Sequence, residues 1–204
     1  MAIIFPDSRI SNMGSETWRV QSSFTGDNNY IGNNSQTTWA RSTDVGGTSP
    51  YDDGNTNLLS QSNGTFTFNE LGSYLINFQV MLYHSQQTRY HHMTLYYSWN
   101  NGANWDVHAY AYGSIPDANS GYSGTQYVTA HGSAHLVIPS NSGNGCRKLR
   151  FGVQTYNNGT GTYGGTGETY TGFTATKVSD HIHQSVSYTH LRAHETGRNL
   201  VCRL

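Results

Sequence analysis

An all-β fold, built as two antiparallel sheets packed face to face or closed into a barrel, is what these 204 residues predict. Three observations lead there. From Tyr74 to Leu82 the even positions Tyr74, Ile76, Phe78, Val80 and Leu82 are all apolar. A strict period of two puts successive side chains on opposite faces of a strand, so one face of this stretch lies in a core. Similar alternating runs recur along the chain, separated by clusters of Gly, Asn and Ser. No segment carries a helical period, and nothing repeats at a solenoid spacing.

Composition bounds the function. Charged residues make up 11% of the chain, well under the ~25% usual for globular proteins. Aromatic residues make up 13%, with 15 tyrosines, enough to build a core rather than a disordered chain. The formal net charge of −1 gives no electrostatic case for nucleic acid or an anionic membrane surface. No apolar run approaches the ~20 residues that span a bilayer, so no membrane insertion is expected. The start, M-A-I-I-F-P-D-S-R, lacks the basic region of a signal peptide. Cys146 and Cys202 do not make a disulfide scaffold.

One domain over residues 16–180 is expected, preceded by an arm at 1–15 and followed by a non-domain tail at 181–204. The end of that tail departs from the rest of the chain. Val186 to Leu204 reads V-S-Y-T-H-L-R-A-H-E-T-G-R-N-L-V-C-R-L and brings Arg192, Arg198 and Arg203 into a chain otherwise poor in charge. It resembles the translation of a sequencing adapter, with Gly197–Asn199 falling over the variable index. This marks the source as metagenomic and the segment as foreign to the fold.

The strands follow in order. Thr17–Phe24 puts Trp18, Val20 and Ser22 on one face. Residues 27–35 form an Asn/Gly loop, and Thr37–Arg41 is a short edge strand. Residues 44–57 form another loop, in which Asp52-Asp53-Gly54-Asn55-Thr56-Asn57 is an Asx-rich turn; the spacing of a calcium loop is absent. Phe66 and Phe68 alternate with threonines in a short strand that leads through a tight glycine turn into the long one. Tyr90–Trp99 places His91, Met93, Leu95, Tyr97 and Trp99 inward. Asn100-Asn101-Gly102 then signals a hairpin. The return strand puts Trp105, Val107, Ala109 and Ala111 inward and His108, Tyr110 and Tyr112 outward. Residues 115–125 form a loop. Gln126–Pro139 faces Val128, Ala130, Gly132, Ala134, Leu136 and Ile138 to the core. Leu149, Phe151, Val153 and Thr155 mark the next strand, residues 157–167 a long Gly/Thr/Asn loop, and Glu168–Ser179 the last strand.

Chemistry is sparsely represented. No nucleophile elbow, His-Glu-x-x-His or phosphate-binding glycine loop is present, so no catalytic residue is assigned and no enzyme is expected. His131 and His135 share a strand face but stand about 13 Å apart, too far for one ion. His181 and His183 have a closer spacing beside the adapter segment. Neither pair is assigned a metal, and no cofactor is expected. The sequon Asn63-Gly64-Thr65 is of the kind chance produces in a chain this rich in Asn and Thr.

Three pieces of the chain resemble one known superfamily. The F-x-F strand at Phe66 and Phe68, the turn ending in Gly72 and the alternating strand after it are similar to the centre of the tumour-necrosis-factor and complement C1q globular-head superfamily. Leu95-Tyr96-Tyr97-Ser98-Trp99-Asn100-Asn101-Gly102 resembles its strand ending in Asn-Gly, and Gly172-Phe173 resembles the Gly-Phe of its terminal strand. The resemblance covers roughly residues 60–178. It implies a two-sheet antiparallel jelly roll and a homotrimer in which one sheet packs against the neighbours.

Two function classes follow. The first is a non-enzymatic structural and binding module: a homotrimer displaying loops to a cell-surface glycan or protein receptor, on an extracellular or virion surface such as that of a phage. The second is a carbohydrate-binding, lectin-like module using Trp and Tyr against sugar rings. Tyrosine combines apolar area with a polar tip and is favoured at interfaces. Tyr110, Tyr112 and Tyr122 are therefore the candidate ligand contacts, and His92, Tyr96 and Tyr156 the candidate threefold interface. The loops at 115–125 and 157–167 are expected to remain open to a ligand.

If residues 186–204 are foreign to the fold, a chain ending at Asp180 melts with the full-length protein. A drop of more than a few degrees would show that the tail is structural, since a domain of this size shifts about 2–4 °C per kcal/mol.

Overall fold

The computed structural model describes residues 14–27, 30–32, 39–41, 57–85, 88–115, 124–156, 159–166 and 169–180. The Asx-rich turn at Asp52–Thr56, Tyr122, His181, His183 and the adapter-like segment lie outside the described residues.

The described chain holds twelve strands and no α-helix. They are β1 (Ser15–Val20), β2 (Phe24–Thr25), β3 (Trp39–Arg41), β4 (Leu59–Ser62), β5 (Thr65–Phe68), β6 (Gly72–His84), β7 (Thr88–Ser98), β8 (Asp106–Ile115), β9 (Gln126–Ile138), β10 (Lys148–Gln154), β11 (Gly161–Thr162) and β12 (Gly172–Ser179). Two antiparallel sheets form a jelly-roll sandwich. The first is organised on β6, which pairs along its whole length with β9. On its other side β6 meets β12, then β11; β1 and β3 extend the sheet beyond β12, and β2 lies beyond β11. The second sheet runs β4-β5-β10-β7-β8.

The predicted inward face of β6 is buried at every position from Tyr74 to Leu82. Phe66 and Phe68 are buried as expected, but β5 belongs to the second sheet. The turn at 69–71 therefore crosses from one sheet to the other rather than closing a hairpin. The hairpin partner of β5 is β4, joined at Asn63 and Gly64, whose φ angles of +48° and +74° are those of a tight primed turn. Ser22 lies beyond the end of β1 and is exposed. Trp99 stands half exposed in the β7–β8 turn rather than in the core.

Two inward assignments on the return strand also differ. A register shift between Leu95 and Tyr96 sets Tyr96 opposite Val107, which turns Val107 to solvent; Ala109 and Ala111 keep the inward face. Trp105 precedes the strand and lies against Arg150 on the outer face. The loop at 157–167 is likewise not wholly open. Thr160, Gly161 and Thr162 are buried, and β11 inserts between β2 and β6. Gly161 makes this possible, because a Cβ there would fall 2.1 Å from the ring of Tyr83 on the paired strand.

The core is a cluster of rings gripped between the sheets. Phe66 and Phe151 come from the second sheet, Trp39 and Phe173 from the first. Phe173 lies 4.7 Å from both Phe66 and Phe151, and Trp39 lies within 5.2–5.7 Å of all three, mostly edge to face. Phe78 sits 5.6 Å from Phe151 and lies over Gly132, its cross-strand partner, where a Cβ would come within 2.4 Å of the ring.

Two buried charges tie the edges. Glu16 on β1 accepts the Leu58 and Leu59 N–H groups at 2.9 and 3.1 Å, and its other oxygen lies 3.4 Å from Arg41 Nε. Burial pushes its pKa above the usual carboxylate value, against the pull of Arg41 and the backbone donors. Lys177 on β12 is buried with Nζ 2.7 Å from Glu70 and 2.5 Å from Asp180.

Phe78 is 2% exposed, so Phe78→Ala should lose about 3–5 kcal/mol of stability. Gln79 faces outward and donates to the Thr169 and Tyr170 carbonyls, so Gln79→Ala should lose about 1 kcal/mol. Urea melts of the two variants check this; equal midpoints would contradict the register of β6.

Candidate binding face

The outer face of the second sheet gathers the aromatic residues that the core does not use. On β10, Leu149, Phe151 and Val153 are buried, which turns Lys148 and Arg150 outward by alternation. Arg150 pairs across the ladder with Tyr96. Tyr30 comes from the 30–32 segment, held along β10 by the Ile31 N–H donating to the Phe151 carbonyl at 2.9 Å. Trp105 returns from the β7–β8 turn, where Asn101 and Gly102 both take left-handed φ angles and the Ser98 hydroxyl accepts the Gly102 N–H at 2.8 Å. The guanidinium carbon of Arg150 lies 4.3 Å from the ring centre of Trp105, 5.0 Å from Tyr30 and 5.2 Å from Tyr96. These are cation–π distances. Its Nε is buried without a hydrogen-bond partner, and burial lowers its pKa from the ordinary guanidinium value.

Further along β7 is a second group. His92 lies 5.1 Å from Tyr110 and 5.0 Å from Tyr112, and the two tyrosine rings are 5.1 Å apart. Burial pushes the His92 imidazole below its ordinary pKa, so the ring is neutral at pH 7. Tyr110 and Tyr112 stay largely exposed. At the end of the strand Tyr90 stands at φ +62°, beside a register shift that turns its side chain outward. It meets Tyr156 at 6.3 Å, and both rings are well exposed. From Tyr90 to Tyr96 the strip runs about 20 Å along β7.

The structure gathers candidate residues of both kinds on one face. Tyr110 and Tyr112, expected to contact ligand, share one face and one cluster with His92, expected at a subunit interface. Tyr96 lies on the same face, and Tyr156 at its end. Arg150, Trp105 and Tyr30 were not singled out. Arg150 was legible as the cation alternating with Leu149 and Phe151. Trp105 was misread because the register shift is silent in sequence, and nothing in the Asn/Gly loop marked Tyr30.

The first sheet presents a different outer face. The outward positions of β6 (73–83), β9 (127–137) and β12 (174–178) include no Asp, Glu, Lys or Arg. They are Ser, Thr, Asn, Gln and Tyr, with Met81, the partly exposed Leu75, Val137 and Val178 and the exposed His131 and His135. No group of three metal-ligating side chains is placed for an ion among the described residues.

Behind the tyrosine strip, His91 is fully buried, and its Nδ1 accepts the Tyr156 N–H at 3.3 Å. Asp27 accepts the Thr155 N–H and hydroxyl at 2.6 and 3.0 Å. Together they fix the end of β10.

No family model matches the sequence, and no curated protein matches it. Solved structures do. The Eiger TNF of S. frugiperda superposes with a TM-score of 0.54 at 10% identity, over 85% of this chain and 98% of that one. Murine APRIL superposes with a TM-score of 0.49 at 9% identity, over 81% and 99%. The Eiger superposition, with the strand order above, shows the tumour-necrosis-factor-like jelly roll that the sequence resemblance implies.

Burial, then the neighbouring His84 and His92, pushes the pKa of His91 below 6.5, with Asp27 pulling the other way. The unfolded state therefore binds the extra proton first. His91 contributes its stability fully above about pH 6.5 and loses it as the pH falls through the lowered folded value. The melting temperature should drop between pH 7.5 and 5.5, and His91→Gln should flatten that slope. An unchanged slope in the variant would assign the pH dependence elsewhere, since raised-pKa Glu16 acts in the opposite sense.

Proposed function

We propose that this protein is a non-catalytic binding module, a homotrimer that packs the first sheet against its neighbours and presents the second sheet to a ligand. The contrast between the two outer faces carries this reading. Exposed faces of soluble proteins ordinarily hold charged residues. Three adjacent strands without one match the interior of an interface, where charge is depleted. A closed symmetric assembly covers Leu75, Val137 and Val178 without separating any ion pair. The superfamily resemblance of the sequence supplies the threefold symmetry.

The aromatic face then remains open. His92, Tyr96 and Tyr156 move, in this reading, from the subunit interface to the ligand face, joining Tyr110 and Tyr112. The loop at 115–125 begins where β8 ends and is a further candidate for ligand contact. An extracellular or virion-surface setting, with a cell-surface receptor as target, suits a module of this kind. The genes beside its own on the source contig test that setting: tail and capsid genes for a virion, glycoside-degradation genes for a carbohydrate-binding module serving an enzyme.

Light scattering on purified protein at micromolar concentration should give three times the chain mass. Leu75→Glu puts a carboxylate on the uncharged face of every copy and should yield monomers, whereas Tyr96→Glu on the opposite sheet should leave the trimer intact. A stable monomer for the parent protein would sink the assembly and promote a monomeric lectin-like reading. A trimer broken by Tyr96→Glu alone would move the interface to the second sheet.

A further inference from the structure

We propose that Arg150 is an anion-reading centre and that the ligand of the second sheet's outer face is an acidic glycan, its carboxylate on the guanidinium and its sugar rings along the tyrosines. This rests on the reading of that face as the ligand face and names what it takes.

Charge is the first argument. Two other cations are neutralised, Arg41 by Glu16 and the buried Lys177 by Glu70 and Asp180. Arg150 has no acidic partner among the described residues, only three rings around it, and its Nε is buried without a hydrogen bond. A half-desolvated guanidinium without a counter-ion leaves its planar fork available to an arriving carboxylate, which it can hold through two parallel hydrogen bonds. Trp105, Tyr30 and Tyr96 lie over the guanidinium, which limits its rotation. Lys148 lies two residues away on the same face. β5, β7 and β10 hold no carboxylate, and the exposed Asp106 at the start of β8 accepts the Trp99 indole N–H at 3.1 Å. The face is therefore complementary in sign to an anion.

Shape is the second argument. β7 is paired on both sides, by β10 and β8, and β10 by β7 and β5. The strands that carry Arg150 and Tyr96 therefore offer no free edge on which an extended peptide could add a strand, whereas β8, with Tyr110 and Tyr112, ends the sheet. This face offers ring faces, ring edges and phenolic hydroxyls in a row, with neutral His92 among them. Hydroxyl-rich sugar rings, apolar on one side and polar at the rim, match such groups. Two cations on a chain of formal net charge −1 make a poor track for successive phosphates.

The test is calorimetric titration of the full-length protein with 3′-sialyllactose and tri-galacturonic acid. Neutral lactose and cellotriose, a hexaglutamate peptide and a short oligothymidylate serve as comparisons. The acidic sugars should bind, more weakly as salt rises, and the neutral ones should not. Arg150→Gln should weaken binding by about tenfold or more. Arg150→Lys should recover part of the loss, and Tyr112→Ala should weaken binding without altering its salt dependence. Should Arg150→Gln fail to fold, Lys148→Gln and Tyr112→Ala carry the test. Neutral sugars binding as well as acidic ones, with Arg150→Gln silent, would overturn the anion centre while leaving the ligand face standing. Peptide or oligonucleotide binding as tight as sugar would overturn the glycan. Acidic sugars that bind undiminished in both Arg150→Gln and Tyr112→Ala would remove the site from this face. Acidic sugars that do not bind at all overturn the proposal, and the trimer mass remains a separate measurement.

Discussion

Ring packing between the two sheets is the constraint on which the rest of the molecule depends. Phe66 and Phe151 from one sheet meet Trp39 and Phe173 from the other, with ring centres 4.7–6.3 Å apart. Side chains alternate along a strand, so committing these rings inward commits every neighbouring position outward. Phe151 inward puts Arg150 outward, and Phe78 inward puts Asn77 and Gln79 outward. The chemistry of both surfaces is thus a consequence of how the centre is filled. A slip of one residue would bury the cation and expose the phenylalanines.

The outer faces differ because their strands were given different second residues. Between the core positions of β6, β9 and β12 stand hydroxyl, amide, apolar and tyrosine side chains with two histidines, and no Asp, Glu, Lys or Arg. Between those of β7, β8 and β10 stand His, Tyr, Lys and Arg. The first set makes a wall without Asp, Glu, Lys or Arg, the second a row of rings around a fixed positive charge. The two surfaces are separated by a single sandwich thickness, about 10 Å between sheets. Assembly through one therefore leaves the other facing away from the axis.

Much of this was legible in sequence, for a physical reason. β6, β9 and β10 lie in the interior of their sheets or pack one full face on the core, so burial writes a clean alternation into them, and Tyr74–Leu82 could be read directly. Hairpin turns were legible where Asn-Gly carries the left-handed angles, as at Asn101-Gly102. The same signal at Asn63-Gly64 was passed over as a sequon, and with it β4. What alternation cannot show is a change of register. The shift at Leu95–Tyr96 reversed Val107 and displaced Trp105, and with Trp105 went the cage around Arg150. β2 and β11, two residues each, are too short to carry a period. Glu16 and Lys177 went unnoticed because a buried charge is defined by partners far along the chain, Leu58 for one and Glu70 for the other.

The ring of Phe78 fills the space that a side chain at residue 132 would occupy. The two positions are 54 residues apart in the chain but make one steric unit, and Tyr83 over Gly161 makes another. In lineage terms neither member is free to drift alone. A methyl gained at 132 can persist only in descendants whose residue at 78 has already shrunk. Among diverged relatives these two pairs should therefore change in concert, long after the surface residues around them have lost all likeness.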